Sequence, residues 1–276
     1  MQLFSDETSP RYTYFVSDFH LGANGRLDSR AREQQILRWL DEVASHAEAI
    51  YLVGDVFDFW FEYKTVIPKG FTRILGKLAS LRDAGLPIFF FTGNHDLWVF
   101  DFFEKEFGIP TYREPIVKTI GGKNFYIGHG DGLGDGDYGY KLLKKVFTNP
   151  LCQWLFARLH PNFGIGLAHR SSRKSRAAQP DEANQFLGEN DEWLLGYANK
   201  LSQTTHQNID YFVFGHRHLP IDWTLKNAAA RYVNLGEWLN FCSYAVFDGN
   251  DLQIKFFESE KMQRFDDEFK IYTNRI

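Results

Sequence analysis

The sequence predicts an α/β fold: a sandwich of two mixed β-sheets flanked by helices. Three observations lead there. Apolar strand segments alternate with amphipathic helical segments up to Phe107. From Tyr211 onward, strand segments follow one another with no helix between them. Five of the strands run out into Gly, Asp, Asn and His at their carboxyl ends. Alternation followed by strands alone is the pattern of a layered fold with helices outside its sheets.

The elements follow in order. Tyr12 to Ser17 reads as a short apolar strand. Ser29 to His46 reads as a helix, with Ile36, Leu37, Leu40 and Val43 on one face. Ala49 to Val53 is a strand, Gly70 to Ala84 a helix carrying Ile74, Leu78 and Leu81, and Ile88 to Phe91 a third strand. Trp98 to Phe107 reads as a helix. Ile116 to Ile120 and Phe125 to Gly128 read as a hairpin joined by Gly121-Gly122-Lys123-Asn124. Strands are then expected at Tyr211 to Phe214, Ile221 to Leu225, Arg231 to Asn234, Ser243 to Asp248 and Leu252 to Phe257. The last two meet at the turn signal Asp248-Gly249-Asn250. The tail from Glu258 to Ile276 is charged and carries no clear pattern.

The strand ends hold the chemistry. They read Ser17-Asp18-Phe19-His20, Gly54-Asp55-Val56-Phe57-Asp58, Gly93-Asn94-His95-Asp96, Gly128-His129-Gly130-Asp131 and Gly215-His216-Arg217-His218. In open α/β sheets ligands bind at the carboxyl edge. Glycine lets the backbone turn sharply and approach a charged centre. Carboxylate, imidazole and amide oxygen suit a hard-to-borderline divalent ion, and no thiolate is offered. Seven such ligands suffice for two octahedral-type ions if one carboxylate bridges them.

Each residue alone has a plainer reading. A strand-end Asp is more often a turn former or helix cap, and a lone His is more often surface or core than ligand. Four of the nine histidines, His46, His160, His169 and His206, are read that way. The other five all sit at strand ends, and His216 and His218 are spaced to share a face.

Composition narrows the class. The chain has 276 residues, 44% hydrophobic and 24% charged, which is globular and long enough for one large domain with a substantial insertion. A net charge of −4 gives no global nucleic-acid footprint, so no nucleic-acid partner is expected. Cys152 and Cys242 stand far apart, which points to a reducing compartment and no cysteine metal site. The N-terminus has neither a basic nor an apolar segment of signal-peptide type, and no apolar run approaches a bilayer span. The expectation is a cytoplasmic protein, peripheral to a membrane.

The series Asp-x-His, Gly-Asp-x-x-Asp, Gly-Asn-His-Asp, Gly-His and Gly-His-x-His, from Asp18 to His218, resembles the calcineurin-like metallophosphoesterases. That resemblance implies two metal ions, Mn²⁺ foremost. Asp18, His20 and His218 would hold one, Asn94, His129 and His216 the other, and Asp55 would bridge them. His95 would stand near the leaving group with Asp96 orienting it, and Asp58 would support the ligands from behind. The implied reaction is hydrolysis of a phosphoester or pyrophosphate without a covalent enzyme intermediate.

Residues 138 to 180 speak to the substrate. They hold eight Lys or Arg and no Asp or Glu, a local +8 that leaves the rest of the chain at −12. They also carry large apolar residues such as Trp154 and Phe156, on two short helices separated by Asn149-Pro150. A basic, amphipathic segment suits an anionic membrane surface or an anionic lipid; the plainer reading is a helical hairpin with a solvated basic face. Residues 168 to 176, AHRSSRKSR, read as a phosphate-binding loop or as a flexible basic loop, with Arg170, Arg173 and Arg176 as candidate phosphate forks. A greasy basic insertion after the fourth motif, with GDVFDFWFEY at residues 54 to 63, is similar to one branch of the family, the UDP-2,3-diacylglucosamine pyrophosphatases of lipid A synthesis. The resemblance implies a sugar-nucleotide lipid substrate, release of UMP and 2,3-diacylglucosamine 1-phosphate, and peripheral association with the inner membrane. His95 departs from that branch, which has Arg there. The division expected is core at 1–137, helical lid at 138–205 and core again at 206–276. Two alternatives stay open: a phosphodiesterase for another nucleotide or lipid headgroup, and a non-catalytic scaffold that keeps the fold.

Overall fold

The computed structural model describes residues 11–135, 138–177, 185–226, 229–258 and 270–275; of 173–177 it describes the backbone only. Strands β1 (Tyr12–Val16), β2 (Ala47–Val53) and β3 (Ile88–Phe91) alternate with helices α1 (Ser29–Ala44) and α2 (Thr72–Asp83). All three strands are nearly continuous apolar runs because both of their faces are covered. Tyr14, Val16, Ile50, Leu52, Ile88 and Phe90 face the helices. Phe15, Tyr51, Val53 and Phe91 face the other sheet. This is the period of two expected of a strand. Asp28 caps α1 by accepting the Ala31 N–H.

Helix α3 (Phe102–Phe107) follows, then β4 (Thr111–Tyr112) and the hairpin β5 (Ile116–Ile120) and β6 (Lys123–Ile127). Helix α3 starts four residues later than its apolar pattern suggested. Trp98 instead bridges to Phe61, and Glu62 accepts the N–H groups of Phe100, Asp101 and Phe102 ahead of the helix. The hairpin turn is Gly121-Gly122 alone, with φ of 54° and 78°. Positive φ at both positions is what a two-residue turn matching the strand twist requires, so Lys123 and Asn124 join the strand.

Helices α4 (Tyr138–Thr148), α5 (Pro150–Phe156), α6 (Pro161–Ala177) and α7 (Trp193–Gln203) come next. The chain closes with β7 (Tyr211–Phe214), β8 (Pro220–Thr224), β9 (Arg231–Leu235), β10 (Ser243–Phe247), β11 (Leu252–Phe256) and β12 (Tyr272–Thr273). The stretch AHRSSRKSR lies on α6 and is not a loop. It lacks Gly and Pro, and its Arg, Lys and Ala are good helix formers that outweigh its serines.

One sheet has the order β11-β10-β1-β2-β3-β4 and the other β12-β8-β9-β7-β6-β5. Both are mixed. β1 to β4 run parallel and meet antiparallel β10 at β1. β6, β7 and β9 run parallel between antiparallel β5 and β8. Helix α7 covers the outer face of the second sheet with Leu194, Leu195 and Ala198, all fully buried. No described helix is long and apolar enough to cross a membrane. The parallel strands β1, β2, β3, β6 and β7 deliver all five motifs to one rim of the sandwich.

Candidate metal centre

The backbone at the rim is unusual. Seven described non-glycine residues have positive φ, and five of them are Asp18, His20, Asp55, His216 and His218. Left-handed backbone costs such residues roughly 1–3 kcal/mol each and persists where the surroundings enforce it. Glycine has a second task here, which is space. A Cβ on Gly215 would lie 2.6 Å from Asp18 Oδ2, and one on Gly93 would run into Asp55 Oδ1. The loops therefore stack backbone directly against ligand carboxylates.

Each carboxylate is divided between two jobs. Asp18 Oδ2 accepts the His216 N–H at 3.1 Å. Asp55 Oδ1 accepts the His95 N–H at 2.8 Å. The other oxygens, Asp18 Oδ1 and Asp55 Oδ2, are buried and accept no hydrogen bond. They face imidazoles instead. Asp18 Oδ1 is 3.1 Å from His218 Nε2 and 3.5 Å from His20 Nε2. Asp55 Oδ2 is 3.7 Å from His20 Nε2 and 3.4 Å from His129 Nε2. Asn94 Oδ1 lies 3.3 Å from His129 Nε2 and 2.9 Å from His216 Nδ1. Two clusters result, Asp18-His20-His218 and Asn94-His129-His216, with Asp55 Oδ2 between them. Four of these residues, Asp18, His20, Asp55 and His218, turn ligand atoms to within 4.8 Å of one another.

The tautomers agree with metal binding. His129 Nδ1 lies 2.9 Å from the Val53 carbonyl, which can only accept, so Nδ1 donates there and Nε2 is the nitrogen left to face the centre. Charge agrees as well. Burial alone drives the His20 imidazole down, but Asp18, Asp58 and Asp55 overcome it and lift it to about 10. The same contest at His129, with Asp55 foremost, also ends at about 10. Burial and the His129 charge push His216 down to about 4. A buried carboxylate cluster that drags protons onto two imidazoles is one that cations would satisfy, and its oxygen and nitrogen donors fit a divalent metal.

Asp58 is the hub behind the ligands. Its Oδ1 is 3.7 Å from His20 Nδ1 and 3.6 Å from His95 Nδ1. Its carbonyl lies 2.9 Å from His95 Nδ1. Ser172 Oγ, on α6, donates to the carboxylate at 3.2 Å, and His169 Nδ1 approaches it at 4.0 Å. His169 has the plain reading in the sequence and Ser172 none; a contact spanning 114 residues has no local signature. Asp96 was expected to orient His95. It faces backbone instead: Oδ1 accepts the Gly93 N–H at 2.7 Å, and Oδ2 accepts those of Val56 and Phe57 at 2.8 and 3.4 Å. Burial and the Asp55 charge push its pKa up to about 7. The group beside the His95 ring is Asp58, because the β2 loop passes there.

The insertion is tied to the rim at both ends. Ser172 holds α6 to Asp58, and Tyr140 and Lys144 of α4 hold Asp131 at 2.6 and 2.8 Å. Phe156 packs its ring on Phe61 and Trp98, with centroids 4.7 Å away in each case. Trp154 is 53% exposed and, among the described residues, stacks on Arg158 alone. Arg170 is exposed, and the side chains of Arg173 and Arg176 lie outside the described residues.

Residues 12–220 match the family model of the calcineurin-like phosphoesterases. The UDP-2,3-diacylglucosamine hydrolase of Porphyromonas gingivalis is 39% identical over 260 residues, 89% of this chain and 97% of that protein. The enzyme of that name from Serratia proteamaculans is 29% identical over 82% of this chain and 90% of its own. That from Proteus mirabilis is 30% identical over 75% and 82%.

Proposed function

Because the chain belongs to the calcineurin-like phosphoesterase family, we propose that it hydrolyses the pyrophosphate of UDP-2,3-diacylglucosamine to UMP and 2,3-diacylglucosamine 1-phosphate, as a metal-dependent hydrolase of lipid A synthesis. The relative of that name covered over 97% of its length supports the substrate. The observation that carries the chemistry is Asp55 Oδ2, which accepts no hydrogen bond and faces both His20 and His129.

Asp18, His20 and His218 would hold one divalent ion, and Asn94, His129 and His216 the other. Asp55 would serve both, and Mn²⁺ would suit this oxygen and imidazole set. Such a pair supplies a water of lowered pKa and neutralises phosphate charge. The protein does the rest. Asp18 and Asp55 orient their free oxygens by spending the other oxygen on the backbone. His95 presents Nε2 to the departing phosphate oxygen while Asp58 fixes its Nδ1 side. His95 Nδ1 donates to a carbonyl, so Nε2 carries a proton only in the imidazolium form, and burial holds that pKa below its ordinary value. Residues 138–205 form the helical insertion between the two core segments, with α4 to α6 as the lid and α7 seated on the second sheet.

The lid suits acyl chains. Leu142, Leu151, Trp154, Leu155 and Phe163 are each more than half exposed. Lys141, Lys145 and Arg170 lie on the same helices, and Arg158 lies in the turn after α5. Apolar surface with interspersed cations fits an anionic lipid and the peripheral face of the inner membrane. Arg170 would meet phosphate from α6, and Arg173 and Arg176 stay candidates for that role from the sequence. The complete ligand set argues against a non-catalytic scaffold. The deciding experiment is UMP release from UDP-2,3-diacylglucosamine by purified, Mn²⁺-loaded protein. Hydrolysis of aryl phosphodiesters without UMP release would leave a phosphodiesterase of another substrate. No hydrolysis of either would favour the scaffold.

A further inference from the structure

Arg217 stands between two residues that serve different halves of the centre. His216 Nδ1 meets Asn94 Oδ1 at 2.9 Å, and His218 Nε2 meets Asp18 Oδ1 at 3.1 Å. Both histidines have left-handed backbone, with φ of 65° and 56°. A turn strained twice in three residues needs something to hold it.

Arg217 supplies the hold. Its side chain is 4% exposed and forks onto Glu192, which is fully buried. Nε donates to Oε2 at 2.9 Å and Nη2 to Oε1 at 3.0 Å. Nη2 also donates to the Gln185 carbonyl at 2.5 Å. The guanidinium lies 5.6 Å from the Trp193 ring, and that ring meets His216 edge-on at 6.3 Å. Glu192 sits at the N-cap of α7 and accepts the Leu187 N–H. The grip therefore comes from the segment that returns from the insertion.

A buried ion pair is poor evidence of stabilisation, because desolvation consumes most of its attraction; its best-attested use is to fix a register. The register here is the angle between two ligand imidazoles. We propose that Arg217 and Glu192 are a positioning pair: their fork holds the β7–β8 turn so that His216 and His218 face separate metal ions at a fixed spacing. The proposal rests on the two-metal reading and assigns a role to neither ligand that the reading lacks. Its fork goes to Glu192 and the Gln185 carbonyl, so Arg217 acts through the turn.

The test uses the full chain with Arg217→Lys, which keeps the charge and loses the fork, and Glu192→Asp, which shortens the partner. Three readouts are taken: thermal midpoint, Mn²⁺ equivalents by titration, and the electron paramagnetic resonance signature of exchange-coupled Mn²⁺. We expect both variants to fold and to bind the second Mn²⁺ at least about tenfold more weakly, in the range seen for groups supporting metal ligands. The coupled signal should fade with it. Wild-type loading and an unchanged coupled spectrum in both folded variants would overturn the proposal, as would failure of both to fold, which would make the pair structural only. If the wild type itself never binds two Mn²⁺, the metal reading fails instead, and the two outcomes are distinct.

Discussion

Nε2 of His20 and Nε2 of His218 point at each other across 3.1 Å. Two imidazole lone pairs repel at that distance, and two N–H groups would clash. The arrangement is settled by one shared proton or by a cation beside both. With a cation there, His218→Ala should lower metal content from two equivalents to one. Asp55→Ala should strip both, since its Oδ2 alone faces both clusters. Elemental analysis of the purified variants is the check, and two full equivalents in Asp55→Ala would end the bridging role.

Metal removal should cost stability. An ion that binds only the folded chain stabilises it by about 4 kcal/mol at a thousandfold excess over its Kd, or on the order of 10 °C in Tm for a chain this long. Scanning calorimetry with and without a chelator measures this. An unchanged Tm would mean that the buried carboxylates are satisfied without metal.

His95→Ala should lower turnover by roughly 10²–10⁴-fold, the usual contribution of a positioned acid. Metal content should stay at the wild-type level. Nε2 carries its proton only below the lowered pKa of the ring. The His95-dependent part of the rate should therefore decline as pH rises, and the variant's profile should lack that limb. A variant that loses metal along with rate would make His95 a ligand.

The two aromatics of the lid should part company. Phe156→Ala removes a ring packed on Phe61 and Trp98. It should lower Tm and reduce activity on every substrate. Trp154→Ala removes an exposed ring and should leave Tm and small aryl phosphodiesters alone. It should penalise long acyl chains, at about 0.8 kcal/mol for each methylene no longer sheltered. Activity against a series of chain lengths tests this, and an equal loss on all substrates from Trp154→Ala would remove the lid from lipid recognition.

The candidate centre was legible because each of its residues lies within a few residues of a strand end, and glycine next to Asp, Asn or His is a local signal. The sheets were legible for the same reason, since period and turn residues are local. Contacts made through space were not. Ser172 reaches Asp58 across 114 residues, and Arg217 reaches Glu192 across 25. Neither pair leaves a period or a motif. Helix α7 did leave one, in the spacing of Leu194, Leu195, Ala198 and Ser202. It is masked by the polar run Glu189 to Glu192 ahead of it. Strands β4 and β12 are two residues each, too short for any pattern.

Five candidate ligands with left-handed backbone set selection for chemistry against selection for stability. Glycine at Asp18, His20, Asp55, His216 or His218 would relieve roughly 1–3 kcal/mol of strain, more than its own entropic cost of about 0.5–1 kcal/mol. A descendant freed from hydrolysis would recover that strain first at His216 and His218, since glycine at Asp18 or Asp55 would orphan the His216 and His95 N–H groups. Its sandwich would persist, and the erosion would begin at the strained positions before it reached Asn94 or His129.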